Sequence, residues 1–296
     1  MLELETTDFM PSQEKAAEVL RSHRWKNGLY CPHCQSDKIV KNGVRKDHIQ
    51  QYACRACGKC FNDRTKTVFD ETRMHLNECL YALKAHEDGK STNRIKKELE
   101  RHWQTVSDFI KTVATQINPE KLIDDTFSGN VEIDEVYINA GNKGTPQEEP
   151  RKRGLKMRGR GTYEKDRPPV IGIVERNGKM LLTVAEHVNQ STVDTITEKI
   201  SKDAIINTDE FRTYQTLDSE YTHKTVNHAQ GEYAKEDRTH VNTAEGLFSH
   251  LRGWLHKFKG VCKRYLQHYI NFFNLKHLHR NLNPIELLNQ TIIYLI

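Results

Sequence analysis

The sequence predicts a mixed α/β (α+β) chain: a small cysteine-rich module, a group of short helices, and a larger domain on a mixed sheet. Three observations carry this reading. Two Cys-x-x-Cys pairs stand at 31–34 and 54–57, and apolar residues recur at helical spacing between Met74 and about Thr115. From Val131 the period becomes two, and strand-like and helix-like runs alternate thereafter. The 296 residues leave room for one large domain or two to three small ones. With 36% hydrophobic and 29% charged residues, the composition is lean but workable for a globular protein. No run approaches the ~20 apolar residues of a membrane span, and the opening Met-Leu-Glu-Leu-Glu lacks the basic and apolar regions of a secretion signal. No membrane partner is therefore expected. Lys plus Arg number 45 against 40 Asp plus Glu, and the resulting net charge of +5 permits a polyanionic partner without demanding one.

Taken in order, residues 12–25 read as a short helix that Ser12 caps, with Ala16, Ala17, Val19 and Leu20 apolar and the turn-prone Asn27-Gly28 beyond its end. The cysteine segment fills about 29–62. Leu76, Leu80 and Leu83 then lie at i, i+4 and i+7 until Gly89 interrupts them, and Ser91 starts a second helix carrying Ile95 and Leu99. After a turn near His102-Trp103, a third follows with Val106, Phe109, Ile110 and Val113. Three short helices with tight turns suit a helix-turn-helix module.

Val131-Glu-Ile-Asp-Glu-Val-Tyr-Ile alternates as a strand does. Residues 141–168 are a long polar insert. Val170 to Val174 and Lys179 to Val184 flank Asn177-Gly178, the strongest short hairpin signal. A helix from Ser191 carries Val193, Ile196 and Ile200. Ala204-Ile205-Ile206 is a short buried strand leading to Asp209, and a last helical stretch begins near Thr243. This order is that of a ribonuclease-H-like domain, though several other α/β folds fit the pattern alone.

Seven cysteines occur, five of them within thirty residues, and an odd, clustered set does not look like a disulfide framework. Cys31, Cys34, Cys54 and Cys57 form two knuckles nineteen residues apart, the ligand spacing of a tetrahedral structural Zn²⁺ site. So polar a segment has little core to offer reduced cysteines otherwise. Cys60 either replaces Cys57 or is a free thiol, and His33 is expected to be exposed. Cys79 and Cys262 sit in helical patterns, as buried apolar residues do.

Asp134 interrupts an apolar strand, where an unpaired carboxylate is expensive. Asp209 follows a short strand, and Glu245 lies in a helix's first turn with Ser249 and Arg252 at i+4 and i+7. Each has a bland alternative: a hydrogen bond, a turn, a charge favoured by the helix dipole. Together they are what a two-metal phosphoryl-transfer site requires, since hard divalent ions take oxygen ligands and clustered carboxylates need a cation.

At this point a resemblance is visible. The chain resembles insertion-sequence transposases of the Asp-Asp-Glu superfamily, in the zinc-ribbon group related to Merlin elements. The likeness runs from about Arg24-Trp25 to Asn281, through Cys-Gly-Lys-Cys-Phe61, Thr67-Val-Phe69, Val131-Glu-Ile-Asp-Glu-Val-Tyr137, Thr208-Asp-Glu-Phe-Arg-Thr-Tyr214, Asn227-His228 with Gly231-Glu-Tyr233, and His240-Val-Asn-Thr-Ala-Glu-Gly246. It implies that Asp134, Asp209 and Glu245 are a catalytic triad holding two Mg²⁺ (or Mn²⁺) per active site. The 35 residues between the last two acids match the close spacing usual there. Asn242 is the alternative third ligand. Arg252 stands where the group usually has Lys, and its bidentate guanidinium suits a phosphate. Glu135 points to the other strand face and reads as structural; His228 and His240 belong to the pattern without an assigned role. The resemblance further implies a DNA transposase acting on double-stranded terminal inverted repeats and target DNA, as a homodimer or larger on DNA, cytoplasmic in a prokaryote and nucleoid-associated when bound. A domesticated, non-enzymatic DNA-binding regulator and a metal-dependent nuclease without joining are the alternatives.

Basic side chains concentrate in two places. Arg151, Lys152, Arg153, Lys156, Arg158 and Arg160 fall within ten residues that contain no acid, and Lys257 and Lys259 lie near the end of the last helical stretch. Inside a DNA enzyme both read as phosphate contacts rather than solvated loops. Trp254, Leu255 and Phe258 read as core. The organisation expected is an N-terminal helix and zinc ribbon over 1–66, a helix-turn-helix module over 67–125, a catalytic domain over 126–284, and a C-terminal tail over 285–296.

Overall fold

The structure is a computed structural model that describes residues 10–118, 122–123, 125–143, 161–176, 178–226 and 240–296. The basic stretch 151–160, Asn177, and the segment holding His228 and Gly231-Glu-Tyr233 lie outside the described residues. The chain divides into two compact units, Met1–Asn118 with His279–Ile296, and Pro119–Leu278.

The first unit begins with α1 (Gln13–Arg24), whose first turn is capped by Ser12 through the Lys15 N–H. A three-stranded antiparallel sheet follows: β1 (Ile39–Val44), β2 (Gln50–Cys54) and β3 (Cys60–Asn62), in the order β1-β2-β3. Its small core is Cys31, Tyr52, Cys54 and Phe61, with Trp25, Leu29 and Ile39 against it. The fully buried Asp63 ties α1 to this sheet. Its Oδ1 accepts from Trp25 Nε1 (2.9 Å) and Tyr52 OH (3.0 Å), and its Oδ2 from Arg21 Nε (3.0 Å) and the Gln50 N–H (3.2 Å). One buried carboxylate thus meets four donors, which is the condition for its tolerance.

Helices α2 (Leu76–Glu87), α3 (Thr92–Glu98) and α4 (Trp103–Gln116) then form as the apolar spacing predicts. Ser91 caps α3, and Glu100, at φ 52°, reverses the chain into α4. Glu78 accepts the His75 N–H at the start of α2 and a forked pair from Arg101 in that reversal, so one side chain fixes the spacing of the turns. Most of the stretch 285–296, expected as a tail, instead lies in α8 (Pro284–Tyr294), whose Asn283–Glu286 capping box starts it. It packs on α1 and α2, burying Ile285, Leu288 and Ile292, and Thr291 donates to Glu87 at 2.7 Å.

The second unit is built on a five-stranded sheet: β4 (Asn130–Tyr137), β5 (Pro169–Glu175), β6 (Met180–Val184), β7 (Ile205–Asp209) and β8 (Thr222–Val226), ordered β6-β5-β4-β7-β8. The β4–β5 and β5–β6 pairs are antiparallel; β4–β7 and β7–β8 are parallel. Three meandering strands followed by two parallel ones make the ribonuclease-H-like sheet that the order of elements predicts. One face carries α5 (Gln190–Thr197) and a 3₁₀ segment, Arg212–Ser219, over Val131, Ile133, Ile171, Ile173 and Ile206. The other face carries α6 (Asn242–His256). A Cβ at Gly172 would stand 3.1 Å from the Phe248 ring, so glycine there lets α6 lie close on β5. The edge strand β6 is covered by α7 (Leu266–Leu278): Asn274 both donates to and accepts from Leu182 backbone, and Gln267 accepts the Val184 N–H. These bonds occupy an edge that would otherwise pair with another chain.

His86 is buried in the first unit, and burial lowers its pKa to about 4 from 6.5. Between those values the unfolded chain binds a proton that the folded chain refuses. Stability from this group is therefore present above pH 6.5 and lost as pH falls toward 4, by up to ~3 kcal/mol. Urea unfolding at pH 7 and pH 4.5 should show His86→Phe losing less stability on acidification than wild type; equal losses would remove His86 as the cause.

Candidate functional site

The two Cys-x-x-Cys knuckles fold alike. Cys31 O accepts the Gln35 N–H (2.8 Å) and Cys54 O accepts the Gly58 N–H (2.9 Å), with Gln35 and Gly58 both at positive φ. These tight turns present the sulfurs of Cys31, Cys34, Cys54 and Cys57 within 4.8 Å of one another. The N–H of Cys57, against the opposing pull of burial, and then that of Ala56, lower the Cys54 thiol to about 7, toward the thiolate that a soft cation takes. Cys60 is outside the group; its sulfur lies 3.9 Å from Asn42 Nδ2. The choice between Cys57 and Cys60 is thereby made by the backbone. His33 is half-buried rather than exposed, while Cys79 and Cys262 are buried as expected.

In the second unit, Asp134 sits in the middle of β4 and Asp209 ends β7. The parallel register pairs Val131 with Ile206 and Glu132 with Asn207; continued by two residues it sets Asp134 beside Asp209, on strands about 5 Å apart. Glu245 lies in the first turn of α6, on the sheet face that Glu132 and Asp134 share. Asp134 is half-buried, and its pKa is raised well above the usual carboxylate range. Burial is the first cause, then the charge of Glu135; the Glu135 N–H (2.8 Å) works against both, and Asp209 and Glu245 add to the rise. The three acids therefore feel one another across one patch. Their oxygens stand wider apart than the sulfurs, since among the described residues only the four cysteines bring ligand atoms within 4.8 Å. Oxygen donors of like charge, close enough for Asp209 and Glu245 to push up the pKa of Asp134, fit a site for hard divalent cations.

Asp209 Oδ1 accepts the Phe211 N–H at 2.9 Å, which fixes the turn after β7. Asn242 is exposed at the first position of α6, one turn before Glu245. Arg252 is exposed on Glu245's face of α6, about 10 Å further along the axis. Lys257 and Lys259 are exposed near the other end of that helix, and Trp254, Leu255 and Phe258 are buried as expected. Glu135 faces the opposite layer, where its Oε2 accepts from the buried Tyr214 hydroxyl at 2.9 Å.

Two participants escaped the sequence reading. Glu132 is fully buried, and its carboxylate meets Arg176, Thr243 and Ala244. His223, on β8, joins Thr208 Oγ1 (2.8 Å) to Asp218 Oδ1 (2.6 Å) directly behind Asp209. A glutamate two residues before an assigned aspartate, and a strand with one valine, carry no sequence signal that would single them out.

Residues 126–276 match the ISXO2-like transposase domain, and residues 11–60 the transposase zinc-ribbon domain. A Halobacterium salinarum protein described as an uncharacterized protein in transposable element ISH50 is 33% identical over 271 residues, 90% of this chain and 90% of that one. An uncharacterized transposase-like protein of Haemophilus influenzae is 32% identical over 94 residues, 31% of this chain and 75% of that one. A solved Mos1 transposase paired-end complex with left transposon end aligns with 67% of this chain and 75% of that chain at 14% identity, and its TM-score of 0.23 is too low to bear on the fold. The ribbon match and the four-sulfur cluster together make this a structural zinc site.

Cys31→Ser or Cys54→Ser should each release one Zn²⁺ per chain in a chelator assay, and Cys60→Ser should release none. Full zinc content in Cys54→Ser would overturn the ligand set.

Proposed function

The chain belongs to the ISXO2-like transposase family, with a zinc ribbon ahead of its Asp-Asp-Glu domain, and from that premise we propose that it cuts the terminal inverted repeats of its own element and joins them to target DNA. The observation that carries the reading is the alignment of Asp134 with Asp209 on adjacent parallel strands under the first turn of the helix that bears Glu245.

In this reading Asp134, Asp209 and Glu245 hold two Mg²⁺ (or Mn²⁺), which when bound activate water and neutralise the charge developing on the phosphodiester. The protein's own contribution is placement. The sheet fixes two acids side by side, α6 brings the third, and a 3′-hydroxyl freed by cleavage stays in the same site for its attack on target DNA. Arg252 contacts a phosphate near the acids. The ribbon and the helix-turn-helix read the element ends, α4 presenting Trp103, Gln104 and Thr112 on its exposed face. Joining two ends calls for two sites, hence a homodimer or larger assembly on DNA. Arg151, Lys152, Arg153, Lys156, Arg158 and Arg160, with Lys257 and Lys259, serve as phosphate contacts. Among the described residues no helix is long and apolar enough to cross a membrane.

Asp134→Asn, Asp209→Asn and Glu245→Gln should each reduce strand cleavage by roughly three orders of magnitude, as loss of several kcal/mol of metal-borne charge stabilisation requires. End-binding should stay close to wild type, because the acids hold metal and make few DNA contacts. The assay is cleavage of a linear duplex carrying the DNA that flanks the gene on each side. Near-normal cleavage by Glu245→Gln, with loss in Asn242→Ala, would move the third ligand to 242.

Replacing Arg151, Lys152 and Arg153 by Gln should make the slope of log K against log salt shallower by up to ~2.7, at ~0.9 per phosphate contact. Affinity should fall alike for end and unrelated DNA, since phosphate contacts carry no base information. An unchanged slope on both would leave the stretch as a solvated loop.

A further inference from the structure

Helix α6 begins without a cap of its own. The residue before it, Val241, is fully buried and has no side-chain oxygen, so the first-turn amides must find an acceptor elsewhere. They find it on the neighbouring strand. Glu132 Oε2 accepts the N–H of Thr243 at 2.9 Å and of Ala244 at 3.0 Å, the second and third residues of the helix. These are the amides that a capping side chain ordinarily serves. Glu132 Oε1 accepts from Thr243 Oγ1 at 2.9 Å and from Arg176 Nε at 2.7 Å. Arg176 Nη2 in turn donates to His240 O at 2.8 Å, holding the chain just before the helix, and His240 Nδ1 lies 3.2 Å from Glu132 Oε1.

We infer that Glu132 is a positioning residue for Glu245: its buried carboxylate caps α6 from β4 and so fixes the third acid relative to Asp134, two residues further along the same strand face. The geometry explains why the carboxylate is worth burying. Glu132 and Asp134 are spaced by one strand repeat, and Thr243 and Glu245 by two helix positions, so one clamp sets the register of both pairs. An ordinary structural ion pair between Glu132 and Arg176 would hold the hairpin equally well without touching the helix amides. The amide bonds are what separate the two roles. The inference rests on the reading of Glu245 as a metal ligand, and residues that orient ligands in this way typically govern metal affinity by 10–100-fold.

The test uses the full chain in four forms: wild type, Glu132→Gln, Thr243→Val and Thr243→Ser. Thr243 is exposed, so its substitutions leave folding intact even where Glu132→Gln does not. Hydrogen exchange of the metal-free protein reads the clamp, and the Mn²⁺ concentration for half-maximal cleavage of the gene-flanking duplex reads its consequence. Glu132→Gln should speed exchange over 241–247 about tenfold or more relative to 193–206, and raise half-saturating Mn²⁺ about tenfold. Thr243→Val should shift both in the same direction by a few-fold, and Thr243→Ser, which keeps the hydroxyl, should restore both. Unchanged exchange over 241–247 in Thr243→Val would overturn the clamp. Faster exchange with unchanged Mn²⁺ dependence, while Glu245→Gln abolishes cleavage, would overturn the positioning role and leave the catalytic reading intact. Normal cleavage by Glu245→Gln would instead bring down the catalytic reading on which the inference rests.

Discussion

A carboxylate within a sheet must be met by a donor, a cation or solvent, and β4 carries three of them in the run Glu132-Ile-Asp-Glu135. Two are met by the protein. Glu132 is answered by Arg176 and the first turn of α6, and Glu135 by the Tyr214 hydroxyl in the opposite layer. Asp134, between them, accepts the adjacent Glu135 N–H and otherwise faces like charge, which drives its pKa up. The answers to Glu132 and Glu135 dock one element on each face of the sheet. The strand that carries the central acid therefore also anchors the layers around it. In the proposed reading a divalent cation would meet Asp134.

Much of this was legible in the sequence because it follows from periodicity. Two-residue alternation placed Asp134 and Glu135 on opposite faces, and the structure puts Tyr214 behind Glu135. Helical spacing at 76–83 and 106–113 gave α2 and α4, and the knuckle spacing gave the zinc ligands. What stayed hidden depends on partners distant in the chain. Asp63 gathers donors from residues 21, 25, 50 and 52, and its own neighbours say nothing of them. Glu132 looks like a charged flank of a strand until a helix more than a hundred residues later rests on it. Strand β8 carries Thr, His and Lys where a core strand carries branched apolar residues, and only its pairing with β7 makes it a strand. Helix α8 escapes a local reading because its contacts, with α1 and α2, lie at the other end of the chain.

The two metal-type sites show opposite solutions to assembling ligands without a metal. Thiols can be neutral, so backbone turns bring four sulfurs within 4.8 Å at little electrostatic cost, and the ribbon's core closes around Cys31 and Cys54. Carboxylates at neutral pH repel, and under the proposed reading a site for hard cations would keep them apart yet aimed. Much of the placement comes from the backbone and from neighbouring groups: the β4–β7 register for Asp134 and Asp209, single backbone N–H donors from Glu135 and Phe211 to Asp134 and Asp209, and Glu132 for the helix of Glu245. A closed thiolate site suits a module that only has to stay folded. A carboxylate patch whose acids stand wider apart suits, in the proposed reading, a module that must admit metal, water and DNA in turn.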